Sequence, residues 1–177
     1  NFVKDALLQK DIGRTVYKVN SYSKLDDIKI TPNFRSKVGF SNDDLIVAVF
    51  GLASPTKRIL QIVKAFHELS AMNKEIKLAI VGEVSEGIKI ELNEYIEDFN
   101  LKARVKMTGF TTLTEFNDYI HVSDICVNLR YPYYGETSGS LMRILGKGKP
   151  AIVTNIGAFS EIPDECICKI ESPEGKP

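Results

Sequence analysis

The residues best placed to do chemistry lie between Leu129 and Pro150, in the stretch LRYPYYGETSGSLMRILGKGKP. Arg130, Tyr131, Tyr133 and Tyr134 lead into Gly135-Glu136-Thr137-Ser138-Gly139-Ser140, and an amphipathic pattern with Leu141, Ile144 and Leu145 follows. Small residues bare the backbone amides at a helix start, where free N–H groups and the helix dipole favour an anion. A plainer reading competes: Thr137 or Ser138 caps the helix and the tyrosines pack on the sheet edge. Capping does not account for Gly135 and Gly139 within one turn, which lower helix propensity unless the backbone must approach something. Glu136 is favoured by the same dipole, so its position has a structural reason as well.

A second group follows the apolar run Leu45–Phe50. In GLASPTKRI, Gly51 ends the run, Ser54 is placed to cap a helix and Pro55 takes the first helical position. Lys57 and Arg58 then fall in the first turn, where cations oppose the dipole at about a few tenths of a kcal/mol each. An anion held jointly by the two side chains and the amides reverses that sign. Taken alone, the pair reads as two surface cations.

Gly82-Glu83 and Gly109-Phe110 stand at the ends of two further apolar runs. Glycine there lets a ligand approach the backbone, or merely turns the chain. Glu83 reads either as an acceptor for a sugar or ribose hydroxyl or as a solvated carboxylate. His67 and His121 are not spaced with Cys, Asp or Glu as metal ligands. No G-x-S-x-G, Cys/His pair, Walker A or strand-following G-x-G-x-x-G occurs.

The elements that must position these residues alternate. LIVAVF, KLAIVG, VKMTG, DICVNL and PAIVT are continuous apolar runs of strand length, as strands covered on both faces require. Between them, TKRILQIVKAFHELSAMN, IKIELNEYIEDFN, LTEFNDYIHVS and SGSLMRILGKG space their apolar residues by three and four, the last ending at Gly146 and Gly148 in the manner of a C-terminal cap. NFVKDALLQK reads as helical and TVYKVN as a strand, and in TPNFRSKVGF Thr31 is the expected cap with Pro32 first in the helix. Repeated βαβ units predict an α/β fold with a doubly wound parallel sheet. Ligands bind such sheets outside the carboxyl ends of the strands, which selects the loops after Phe50, Val81, Gly109, Leu129 and Thr154.

Composition sets the outer limits. The chain has 177 residues and is 44% apolar, enough for one substantial core. Lys+Arg and Asp+Glu are both 23, a balance that speaks against bulk electrostatic binding of nucleic acid or anionic membrane. The apolar runs are too short to span a bilayer, and NFVKDALLQK carries charges where a secretory segment would be apolar. Cys126, Cys166 and Cys168 lack metal or disulfide spacing; free thiols buried in parallel strands of a cytoplasmic protein are expected. A first residue other than Met and the open ending ESPEGKP lead to the expectation of a piece of a longer chain.

In order and spacing, VFGLASPTKRI, KLAIVGE, RVKMTGF, DYIHVSDICVNLRYP and GETSGSLMRILGKGKPAIVTNIGAFSEIPDE resemble the C-terminal domain of family 4 (group 1) retaining glycosyltransferases. The likeness is strong from Leu45 to Glu165 and weak before Asp43. It implies one half of a GT-B enzyme: a Rossmann-like domain over residues 1–177 that binds a nucleoside-diphosphate sugar, with the acceptor domain elsewhere. It implies transfer to a glycan, lipid or other acceptor, as in polysaccharide biosynthesis, with no metal and no cofactor besides the donor substrate. The full-length protein would be cytoplasmic or at the inner face of the membrane, any membrane association coming from the remainder. By position, Lys57 matches the lysine on the donor diphosphate. The family arginine after the first glycine falls on Leu52, leaving Arg58 or Arg130 to replace it. The glutamate pair before the family's Gly-x-Pro falls on Gly135 and Arg143, with Glu136 one place from the first. The resemblance thus implies a branch in which Gly135–Ser140 and Arg143 form the site. Lys57 and Glu136 are its expected catalytic residues, and Gly51, Arg58, Gly82, Glu83, Gly109, Phe110 and Arg130 complete the donor cleft. A sugar-nucleotide epimerase on the same scaffold and a non-catalytic binding module are the competing readings; a flavodoxin-like signalling domain lacks its acidic cluster.

Overall fold

The computed structural model describes residues 30–172. The helix expected at NFVKDALLQK, the strand at TVYKVN and most of the C-terminal ESPEGKP lie outside the described residues. Six parallel strands form the sheet: β1 (Leu45–Phe50), β2 (Ile76–Val81), β3 (Val105–Met107), β4 (Ile125–Asn128), β5 (Ala151–Thr154) and β6 (Cys168–Ile170). Their order is β3-β2-β1-β4-β5-β6. The chain therefore runs outward from β1 to β3, then returns to the other side of β1 as β4. That reversal opens a crevice between the carboxyl ends of β1 and β4.

The helices divide between the two faces. On one, α2 (Ile59–Met72) and α3 (Glu86–Asp98) bury Ile59, Ile62, Val63, Phe66, Leu92 and Ile96 against Val49, Leu78 and Ile80. On the other, α1 (Phe34–Lys37), α4 (Leu113–Val122) and α5 (Gly139–Gly146) bury Phe34, Tyr119, Ile120, Leu141 and Ile144 against the second core. Each such side chain contributes about 1.5–3 kcal/mol by leaving water. The sheet row beneath that second group is built of small residues. Ala79, Ala48, Cys126 and Ala151 stand side by side in register across β2, β1, β4 and β5, all buried.

Local signals set the helix starts. Thr112 and Glu115 form a reciprocal capping box on α4, and Ser138 caps α5 by accepting from the Leu141 amide at 3.2 Å. Three expectations need correction. Asn33, at φ 57°, rather than Thr31 precedes α1, and Pro32 lies in the turn before it. Lys57 and Arg58 are not in the first turn of α2: Pro55–Lys57 form a separate 3-10 turn, and Arg58 adopts φ 57°, which breaks the helix before it can start. The three cysteines are free thiols, but only Cys126 is buried; Cys166 and Cys168 are exposed. They lie at an edge strand that pairs on one side only and in the turn before it, not in the covered middle of the sheet.

Candidate functional site

The loops after β1 and β4 meet at the crevice. The Tyr131 amide donates to the Thr56 carbonyl at 2.8 Å, which ties one loop to the other. Lys57 ends the 3-10 turn, and its side chain runs back to the carboxyl end of β1. Its Nζ donates to the Phe50 carbonyl at 2.5 Å, and the residue is buried. Gly51, at φ 83°, makes room for this: a Cβ there would lie 2.8 Å from the Lys57 Nζ. Gly82 is held as tightly, since its Cβ would lie 2.7 Å from the Gly51 carbonyl oxygen.

Arg130, 7% exposed, is the second buried cation. Its amide donates to the Thr154 hydroxyl at 3.1 Å and its Nη1 to the Leu129 carbonyl at 3.0 Å. Its Nε lies 3.3 Å from Glu136 Oε1, while Glu136 Oε2 accepts from the Tyr134 amide at 2.9 Å. Glu136 therefore folds its own loop back over Arg130. Burial, with the charge of Arg130 second, brings the Lys57 ammonium down from the usual 10.5 to about 8. Burial also lowers Arg130, and Glu136 pushes it back up through charge and hydrogen bonding. Arg130 thus faces a partly exposed carboxylate, while Lys57 lies near enough to Arg130 to feel its charge.

The N-terminus of α5 adjoins this pair. Ser138 is buried; Gly139 and Ser140 follow in the first turn, whose amides have no helical acceptor. Gly135 turns the chain at φ 89°, and Thr137 is exposed just before the cap. Arg58 Cζ sits 5.7 Å from the Tyr131 ring centroid in a cation–π contact between the two loops. Glu83 is exposed, and its carbonyl accepts from the Ala53 amide at 2.7 Å. Gly109 bridges to Gly82, and Phe110 projects into solvent, 78% exposed. Arg143 is half-buried in α5, one turn past Gly139, and among the described residues it forms no ion pair. No group of His, Cys, Asp and Glu able to hold a metal occurs among the described residues.

Two further residues brace the site, Tyr133 from the tyrosine run and Asn128, which the sequence does not single out. Tyr133 packs its ring over Gly157 and accepts from the Ala158 amide at 3.1 Å, anchoring the 131–136 loop to the loop after β5. Asn128 ends β4 with its amide buried, donating to the Ser138 hydroxyl at 2.8 Å. A polar residue closing the apolar run ICVN was the available signal.

Residues 30–166 match the family model described as glycosyl transferases group 1. The lipopolysaccharide 1,2-N-acetylglucosaminetransferase of Salmonella typhimurium is 24% identical over 136 residues, covering 73% of this chain and 35% of that protein. The chain thus spans about a third of the curated relative's length. Among solved structures, the C-terminal domain of a glycosyl transferase group 1 family protein (LpcC) from Francisella tularensis superposes with a TM-score of 0.68 at 17% identity, over 82% of this chain and 78% of that one. Anabaena Alr3699/HepE, solved with UDP and glucose, gives 0.69 at 18% identity, over 82% and 39%. With the family model spanning most of the chain and solved members sharing its fold, this chain belongs to the group 1 glycosyltransferases and is a glycosyltransferase domain.

Proposed function

We propose that this chain binds the nucleoside diphosphate of a sugar-nucleotide donor, and that the longer protein transfers the sugar, with retention, to a glycan, lipid or other acceptor. The observation that carries the reading is the pair of buried cations, Lys57 and Arg130, in the crevice from which α5 starts; among the described residues Arg130 pairs with Glu136 and Lys57 forms no ion pair. A diphosphate supplies the missing charge, and the same groups then stabilise the leaving diphosphate as its oxygens gain charge in the transition state. That role needs no metal in this reading. Lys57 acts on the leaving group, and Glu136 holds Arg130 and the 131–136 loop in register for it. Gly109 and Gly135 let the ligand near the backbone, Gly51 and Gly82 let Lys57 and the two strand ends pack together, and Glu83, Phe110, Thr137 and Arg143 line the outer cleft toward ribose or sugar. The UDP and glucose bound in HepE support this assignment by analogy of fold. Polysaccharide or lipopolysaccharide assembly is the setting that the Salmonella relative suggests, with the protein in the cytoplasm or at the inner face of the membrane.

Calorimetric titration of UDP, GDP and ADP into the parent and Lys57→Ala tests the reading. Loss of a hydrogen bond to a charged group predicts weakening by about 1.5–3 kcal/mol, with binding of the bare nucleoside unchanged. Equal diphosphate affinity in the two proteins would reduce Lys57 to a buried cation of no ligand role.

A further inference from the structure

We propose that Asn128 is a positioning residue: it fixes the direction of a hydroxyl chain from Asn128 through Ser138 to Ser140, so that the Ser140 hydroxyl donates to an oxygen of the bound diphosphate. The proposal rests on the donor-binding reading above. Asn128 is the last residue of β4 and only 4% exposed, in a strand otherwise apolar. Burying an amide is unfavourable unless its groups are paired. Here Nδ2 donates to Ser138 Oγ at 2.8 Å and lies 3.4 Å from Ser140 Oγ, while Oδ1 is buried with no partner. A leucine would fill such a place without that cost.

Counting protons gives the chain its direction. A serine hydroxyl offers two acceptor positions and one proton. Ser138 Oγ accepts from Asn128 Nδ2 and, as the cap of α5, from the Leu141 amide at 3.2 Å. Both acceptor positions are filled, so its proton goes to Ser140 Oγ, 3.0 Å away. Ser140 Oγ then accepts from Ser138 and faces Asn128 Nδ2, which leaves its own proton to point away from the network. Ser140 is half-buried in the first turn of α5, beside the unpaired amides. Its outward proton adds a donor to the groups that suit an anion. An acceptor at position 128 would run the chain backwards and turn the Ser140 proton inward.

The test is a double-mutant cycle read by UDP titration and by thermal melting, with Ser140→Ala, Asn128→Leu and Asn128→Ala, alone and combined. Ser140→Ala is expected to weaken UDP roughly tenfold, the loss of one hydrogen bond to a charged group. Asn128→Leu and Asn128→Ala weaken UDP severalfold in the parent and less than about twofold when Ser140 is already alanine, since coupled residues are not additive. Asn128→Leu does so without lowering the melting temperature, an outcome that a merely structural role does not give. If the Asn128 variants weaken UDP equally with and without the Ser140 hydroxyl, or in neither case, the proposal is wrong while the donor-binding reading stands. A parent protein that binds none of UDP, GDP and ADP overturns both.

Discussion

Lys57 illustrates how one side chain can be unfavourable for the fold and useful to a site. The drop from 10.5 to about 8 corresponds to roughly 3 kcal/mol of disfavoured charge in the ligand-free protein. The sign follows from linkage. The unfolded chain holds this proton more tightly than the folded one, so the penalty is full below about pH 8 and is relieved as pH rises toward 10.5. An anion beside the ammonium favours its charged form and raises the value again. UDP affinity is therefore expected to be greatest below about pH 8 and to fall above it, by at most about tenfold per pH unit, with proton uptake on binding. Titrations in buffers of different ionisation enthalpy measure that uptake, and Lys57→Ala should abolish it. Lys57 itself was legible in the sequence; the direction of its side chain was not. Proline, threonine and two basic residues before an amphipathic run read as one continuous helix start. The left-handed backbone at Arg58, a conformation that its residue type does not announce, ends the 3-10 turn and leaves Lys57 outside the helix, with its ammonium on the Phe50 carbonyl.

At the level of elements, the carboxyl ends of β1 and β2 are locked together by their glycines. Gly51 leaves space for the Lys57 Nζ, and Gly82 leaves space for the Gly51 carbonyl. Gly51→Ala should disturb both, through the contact with Nζ and through a positive φ that alanine adopts at a cost of about 1–2 kcal/mol. The expected result is a lower melting temperature and UDP binding as weak as in Lys57→Ala. Combining the two substitutions should cost less than their sum, because removing the lysine removes one of the two clashes. Melting curves and titrations of the three variants decide this. The long apolar runs made β1, β2, β4 and β5 readable to within a residue or so, and the four longer helices followed from their spacing. The strand β6 spans three residues, too few for a periodicity to show, and the four-residue α1 was marked only by the turn residues Thr31 and Pro32, two residues early.

Across the whole molecule, the parallel sheet and the end at which the site lies follow from repeated βαβ units, but the strand order does not. Nothing in the sequence says that β4 returns to the side of β1 opposite β2, and that reversal brings Lys57 and Arg130 into one crevice. The row of small residues across the sheet, Ala79, Ala48, Cys126 and Ala151, was equally silent, because each sits alone in its own apolar run. Its consequence is mechanical. The α5 helix rests on β5 above Ala151, so the thickness of the layer beneath it sets how far Ser138–Ser140 stand from the strand ends. Ala151 acts as a thin shim. Ala151→Val adds two methyl groups under the helix and should lift its N-terminus, at the cost of about 1–3 kcal/mol of stability typical of overpacking. UDP binding should weaken severalfold although residue 151 touches no ligand, while the pH profile governed by Lys57 keeps its shape. An unchanged UDP affinity in a protein that melts lower would show that the helix end holds its height without that spacer.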